Sequence, residues 1–292
     1  MMGTDSRSCS GRTWPRVLVG IVVVLGLFAW QVLPQILHAA GLHPVCEEYA
    51  GDLTGRRALV VATNHDTLGD TGRPTGVAAS ELTAAYYEFL DAGMEVDVAS
   101  PLGGRIPVDP QTLLWLIRSE YDERYLDDPV LTGMVEESLS VADLDVSHYD
   151  IVYLAGGWGA AWDLGKSGEL GDAVTEAWQA GAVVGGVCHG PLGLLLARDE
   201  QGQALVRGRR LTAVTDKQLR ELGIEMTPQH PESELRGAGA LFEANTALRD
   251  ILATRVVVDG RLVTGQNQNS GCATAQAMMK VTVESGRRKA GA

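Results

Sequence analysis

No two cysteines in this chain stand at a metal-binding spacing. Its 292 residues include four, Cys9, Cys46, Cys188 and Cys272, and the lack of a C-x-x-C pair excludes the usual zinc patterns. They are also too sparse for a disulfide scaffold; a Cys46–Cys272 bridge is conceivable, but the expectation is that none forms. Positive charge is scarce as well. The 24 Lys and Arg against 37 Asp and Glu leave a net charge of −13, which argues against nucleic acid or anionic lipid as a partner of the folded part. There is no internal repeat and no low-complexity tract. His65 and His148 are isolated, so neither is assigned to a metal, and no metal or cofactor is expected.

What is present is an ordinary globular composition, 45% hydrophobic and 21% charged. Residues 17 to 33 form an apolar run broken only by Gln31, and Arg7, Arg12 and Arg16 precede it. With residues 35 to 40 as an interfacial end, the run approaches the ~20 residues needed to cross a bilayer. A signal peptide is the competing reading, although His38-Ala39-Ala40 makes a poor cleavage site. The expected organisation is a cytoplasmic tail (1–16), a transmembrane signal-anchor (17–40), a polar linker (41–55), an α/β catalytic domain (56–284) and a disordered C-terminal tail (285–292). Arginines before the span and acidic residues after it predict a single-pass protein with its catalytic domain outside the cytoplasm.

Within the domain, apolar β-forming runs alternate with amphipathic stretches. Strands are expected at 58–63, 94–100, 151–154, 183–187 and 211–215, with a hairpin at 256–263 around Asp259-Gly260. Helices are expected at 80–90, 170–180 and 273–283, and two more between 111 and 139, split at Asp127-Asp128-Pro129. This alternation predicts an α/β fold, a flavodoxin-like three-layer sandwich with a mostly parallel central sheet. Sites in such sheets lie at the carboxyl ends of the strands, where Asn64-His65, Gly156-Gly157 and Cys188 would converge.

The strand Ala182 to Val187 runs into Gly186-Val187-Cys188-His189-Gly190, a nucleophile elbow with cysteine where hydrolases carry serine. The expected turn lifts the thiol clear of the sheet at the start of a leucine-rich helix, whose dipole and free N–H groups would favour the thiolate. A buried structural thiol is the bland alternative.

Val187-Cys188-His189-Gly190-Pro191 resembles the active-site turn of the PfpI superfamily, relatives of the class I glutamine amidotransferase fold. The match is widest with the glyoxalase III and deglycase branch, which includes heat-shock chaperones, and it runs from Arg57 to Met279. Ser100-Pro101-Leu102-Gly103-Gly104 with Asp109, Leu154-Ala155-Gly156-Gly157-Trp158-Gly159, Trp162-Asp163-Leu164 and Thr264-Gly265-Gln266-Asn267 carry it further.

The resemblance implies that His189 pairs with Cys188, and that the backbone N–H groups of His189 and Gly157, beside Gly156 and Trp158, bind the substrate oxygen. It implies that Glu81 is the carboxyl beside the thiol, although Ala84-Ala85-Tyr86 replaces the family's histidine-proline-tyrosine run. One branch places a third acid where Gln218 or Leu219 stands here; another uses an aspartate before lysine and glutamine, which Asp216-Lys217-Gln218 matches. Asp216 is read either as that acid or as a helix N-cap. Trp158 replaces the histidine usual in the branch, and His230-Pro231-Glu232 reads as a capped loop leading into a helix.

The activity implied is that of a cysteine-dependent lyase of glyoxalase III type (D-lactate dehydratase), converting methylglyoxal to lactate, or of a protein deglycase. An amidase or peptidase of the same fold, and a non-catalytic stress chaperone, are the alternatives. The substrate would be a small carbonyl or amide, the only membrane contact the N-terminal helix, and a homodimer would supply the apolar surface that a chaperone needs.

Overall fold

The computed structural model describes residues 14–39, 41–43, 46–47, 49–247 and 249–286. Cys9, most of the expected N-terminal tail and the last six residues lie outside them. Helix α1 (Trp14–Ala39) carries Pro34 near its end; from Val17 on most of its apolar side chains are exposed, and Trp30 stacks on Trp115 with centroids 4.0 Å apart. The domain follows as β1 (Arg57–Val61), α2 (Ala79–Asp91), β2 (Glu95–Ser100), α3 (Glu120–Leu126), α4 (Pro129–Glu136), β3 (Leu139–Ser140), β4 (Ile151–Leu154), α5 (Ala160–Asp163), α6 (Gly168–Gln179) and β5 (Val183–Val187). Then come β6 (Arg210–Leu211), α7 (Asp216–Leu222), α8 (Pro231–Gly237), β7 (Leu241–Phe242), β8 (Val256–Asp259), β9 (Leu262–Gly265) and α9 (Gly271–Gly286).

Seven strands form one sheet in the order β3-β2-β1-β4-β5-β9-β8. All neighbours are parallel except β8, which pairs antiparallel with β9 in the expected hairpin. Strand alternation divides the core into two faces. Ala58, Val60 and Tyr153 point to the side covered by α2 and α9, against Leu82, Phe89, Met278 and Met279. Leu59, Val61 and Val152 point to the other side, against Leu170, Val174 and Trp178 of α6. This is the α/β, three-layer, mostly parallel sandwich read from the sequence.

The chain departs from expectation in four places. The strand expected at 211–215 shrinks to β6, which pairs with β7 in a separate two-stranded sheet. Its continuation is held instead by Val214 N donating to Cys188 O at 3.0 Å and Thr212 N donating to Thr264 Oγ1 at 2.8 Å. After Cys188 the chain forms a 3-10 helix of only five residues, Gly190–Leu194, not a regular α-helix. Helix α9 runs on to Gly286, past the start of the expected tail.

The fourth departure is the linker. Cys46 and Cys272 form a disulfide, against the expectation of free thiols. Leu42 and Leu53 are buried, and His43 N donates to Asn269 Oδ1 at 2.9 Å. The segment reads as polar over fifteen residues, but its few apolar positions are the ones that dock. A 226-residue separation between the two cysteines hides such a contact from local pattern.

The elbow is possible only because its glycines have no side chain. A Cβ at Gly190 would lie 2.0 Å from the Leu154 carbonyl oxygen. Gly190→Ala should therefore push β4 and β5 apart and cost about 1–3 kcal/mol as overpacking. Thermal denaturation of the variant checks this; an unchanged midpoint would show that the turn has room to spare.

Candidate active site

Parallel pairing brings the carboxyl ends of β1, β4, β5 and β9 to one edge of the sheet. Cys188 sits there at φ +60°, a left-handed conformation that costs a residue with a Cβ roughly 1–3 kcal/mol. It is held by its own N–H donating to Gly265 O at 3.1 Å and by its carbonyl accepting from Val214 N. The strained turn aims the sulfur across the end of β4 toward the first turn of α2.

Glu81 stands in that turn, 1% exposed. Its Oε2 accepts from Gly156 N at 2.9 Å, and the carboxyl also meets Gly157 N–H and the Cys188 thiol. Gly157 has φ +93°, and a Cβ there would lie 2.3 Å from Ala78 N. Only glycine lets the strand end approach α2 this closely. The N–H groups of Gly157 and His189 both donate toward Cys188 Sγ, so the pair expected to cradle a substrate oxygen faces the reactive atom.

Burial dominates the electrostatics. It pushes the Glu81 carboxyl up to about 8, against the hydrogen bonds from Cys188, Gly156 and Gly157 that favour its charged form. Burial also drives the Cys188 thiol well above its usual range, helped by the Glu81 charge and opposed by the N–H groups of Gly157 and His189. The expected resting thiolate is thus overturned: the helix after Cys188 is too short to offset desolvation. His189 is fully buried, with Nδ1 3.5 Å from Sγ. Burial, with a smaller contribution from the His230 ring, lowers its pKa to about 3. All three shifts favour the uncharged forms of the acid, the thiol and the imidazole.

Above the sulfur lies a cavity of about 400 Å³. Trp158 lines it, as do Glu81, Gly157 and Cys188. Asp216 is not joined to this group by a hydrogen bond. It occupies the first turn of α7, where Thr215 and not Asp216 is the N-cap. Its N–H donates to Glu232 Oε2 and its Oδ2 accepts from Ser233 Oγ at 2.7 Å. Asp216 Oδ1 and His189 Nε2 are both buried without a hydrogen-bond partner. Gln218 reaches back to Thr215 N and out to Asp250 O, a structural role.

Asn64 and His65 do not join the site either. The Asn64 side chain pins the loop after β2 through Ser100 Oγ and Gly103 O, and His65 stacks on Trp162 with centroids 4.6 Å apart. His230 stands at the start of α8 without capping it through its side chain. Two residues near the site escaped sequence reasoning. Tyr153 looks like strand filler, but its fully buried hydroxyl has no partner and feels the charges of Glu81 and Cys188. Leu42, from the supposed linker, lines the cavity. Strand alternation shows which face Tyr153 takes; nothing local reveals Leu42.

An α/β sheet with a cysteine elbow and a carboxyl pressed against the thiol defines a class, and comparison with known proteins places the chain within it. The DJ-1/PfpI family model matches residues 74–281, and the chain belongs to that family. Glutathione-independent glyoxalase hsp3101 of Schizosaccharomyces pombe is 28% identical over 239 residues, covering 78% of this chain and 96% of that protein. Glyoxalase 3 of Candida albicans is 26% identical over 230 residues, covering 75% and 94%. Among solved structures, glyoxalase III from Candida albicans superposes with a TM-score of 0.70 at 25% identity, covering 77% of this chain and 97% of that one. Rapid Encystment Protein 24 KDa of Francisella tularensis gives a TM-score of 0.72 at 28% identity, covering 78% and 99%.

The raised acid has a consequence for stability. The carboxyl titrates at about 8 when folded and near 4.5 when exposed. Between these values the folded protein holds a proton that the unfolded chain has released, so stability falls as pH rises. His189, lowered from 6.5 to about 3, acts oppositely, raising stability with pH until about 6.5. Between pH 6.5 and 8 the Glu81 effect stands without it. Glu81→Gln should flatten the melting temperature across that window relative to the wild type; parallel curves would mean that Glu81 is ionised in the fold.

Proposed function

We propose that this chain is a cysteine-dependent glyoxalase, a lyase independent of glutathione and of any cofactor, that converts a 2-oxoaldehyde such as methylglyoxal to a 2-hydroxy acid such as lactate. The observation that carries the reading is a fully buried carboxyl, favoured by its burial toward the protonated form, against a thiol that lines a cavity of about 400 Å³. The names of the relatives, glutathione-independent glyoxalase and glyoxalase III, support it.

Cys188 Sγ adds to the aldehyde carbon, and its proton leaves through His189 Nδ1 to the aldehyde oxygen, giving a hemithioacetal. The oxygen lies toward Gly157 and His189 N–H, where fixed donors stabilise developing charge. A proton then moves from the former aldehyde carbon to the neighbouring carbon through an enediol, with Glu81 as the shuttle. The resulting thioester is cleaved by water, which releases the hydroxy acid and restores the thiol. Substrate and water are the only inputs, and no oxidant is needed.

An amide hydrolase is the second reading, favoured by the Cys188–His189 contact. Acyl transfer leans on a third group to orient the histidine, however, and His189 Nε2 has no partner here. Hydrolysis also finds no use for a protonated Glu81. A chaperone role rests on exposed apolar surface, and the exposed large apolar side chains are concentrated on α1.

We also infer that α1 anchors the chain in a membrane with the domain on the extracytoplasmic side. Arg16–Ala39 is 24 residues long, and an 18-residue window within it has mean hydropathy 2.4 with none of its residues buried. The preceding arginines favour that orientation, and a disulfide suits an oxidising compartment.

Purified protein given methylglyoxal without glutathione should form lactate. Cys188→Ala should abolish it, and Glu81→Gln should lower kcat by about 10²–10⁴-fold while the circular dichroism spectrum stays the same. Lactate formed at the wild-type rate by Cys188→Ala would refute the site; amide turnover without lactate would favour the hydrolase.

A further inference from the structure

The cavity above Cys188 is more apolar than its membership suggests, because several of its polar side chains already hold protein partners. Gln218 uses both ends of its amide on Thr215 N and Asp250 O. Asn267 donates to Ala253 O and accepts from Asn269 N. Asp109 accepts from Thr75 Oγ1 and Gln111 N. The Thr112 hydroxyl accepts from Ala79 N and donates to Asp109 O. Leu42, Ile117, Trp158, Val214, Leu222 and Ile251 supply the apolar walls, and Gln111, Glu221 and Gln268 also line the cavity.

Size points the same way. A volume of about 400 Å³ lies within the ~300–1,000 Å³ that holds drug-sized ligands, whereas methylglyoxal offers only a methyl group to bury. Trp158 adds apolar area to the same cavity that Cys188 lines. Leu42, three residues after the end of α1, adds a further apolar wall.

Building on the glyoxalase reading, the geometry points to a 2-oxoaldehyde bearing an apolar alkyl or aryl substituent as the substrate class. Its vicinal carbonyls meet Cys188, Glu81 and the Gly157 and His189 N–H groups, while the substituent fills the space bounded by Leu222 and Ile251. The bonds made and broken are those of the methylglyoxal reaction, since the tail does not react. Sugar-bearing and glycated substrates are disfavoured: most of their hydroxyls would leave water for walls that are largely apolar.

The test is a series of methyl, propyl and butyl glyoxal, together with phenylglyoxal and a glycated amine, assayed with the full-length protein in detergent micelles. Release of 2-hydroxy acid is followed for the glyoxals and release of free amine for the last. kcat/KM should rise roughly three- to fourfold per added methylene until the cavity is full, and phenylglyoxal should exceed methylglyoxal. Leu222→Asn should lower the butyl-to-methyl ratio of kcat/KM by roughly tenfold. A flat or falling series, a glycated amine preferred to phenylglyoxal, or a Leu222→Asn ratio equal to that of the wild type would overturn the inference while leaving the glyoxalase reading in place. No turnover of any glyoxal would overturn both.

Discussion

Two acids share one buried pocket in this protein, and the rest of the site answers to that. Glu81 and Cys188 meet at the edge of the sheet, both buried, and two negative charges so close and so desolvated cannot coexist. The pair therefore keeps at least one proton at neutral pH. The carboxyl, pushed up to about 8, is the group able to give and take it. A solvated glutamate would stay ionised and would repel the sulfur it is meant to assist.

The framework holds these groups together at local cost. A residue with a Cβ is forced to positive φ at Cys188, and the ladder from β9 and the contact with Val214 keep it there. Glycines at 157 and 190 remove the side chains that would hold α2, β4 and β5 apart. The N-terminal segment contributes as well: the Cys46–Cys272 bond and the His43–Asn269 hydrogen bond fasten it to the domain, so that Leu42 reaches the cavity. A stretch with the composition of a linker thus forms part of the binding wall.

Much of this was legible from residue order. Strand–helix alternation, the glycine-flanked cysteine and the turn at Asp259-Gly260 each encode their conformation within a few positions, because backbone sterics act locally. They led to the sandwich, the elbow and the hairpin. Glu81 was legible only through a family resemblance, since a glutamate in a helix's first turn looks the same whether it faces water or a thiol. The thiol's environment is hidden for a related reason. The elbow implies a helix dipole, but the helix is five residues of 3-10 turn, and the desolvation that dominates is contributed by distant segments.

What the sequence determined alone is the set of conformations its glycines, β-branched runs and turn residues permit, and with them the layered sheet and the place of Cys188 at a strand end. Tertiary structure decided the rest: the raised pKa of Glu81, the lowered pKa of His189, and the recruitment of Leu42 and Cys46. The physical reason is that burial and charge coupling depend on which atoms surround a group in space. Those atoms come from segments up to 226 positions apart in the chain.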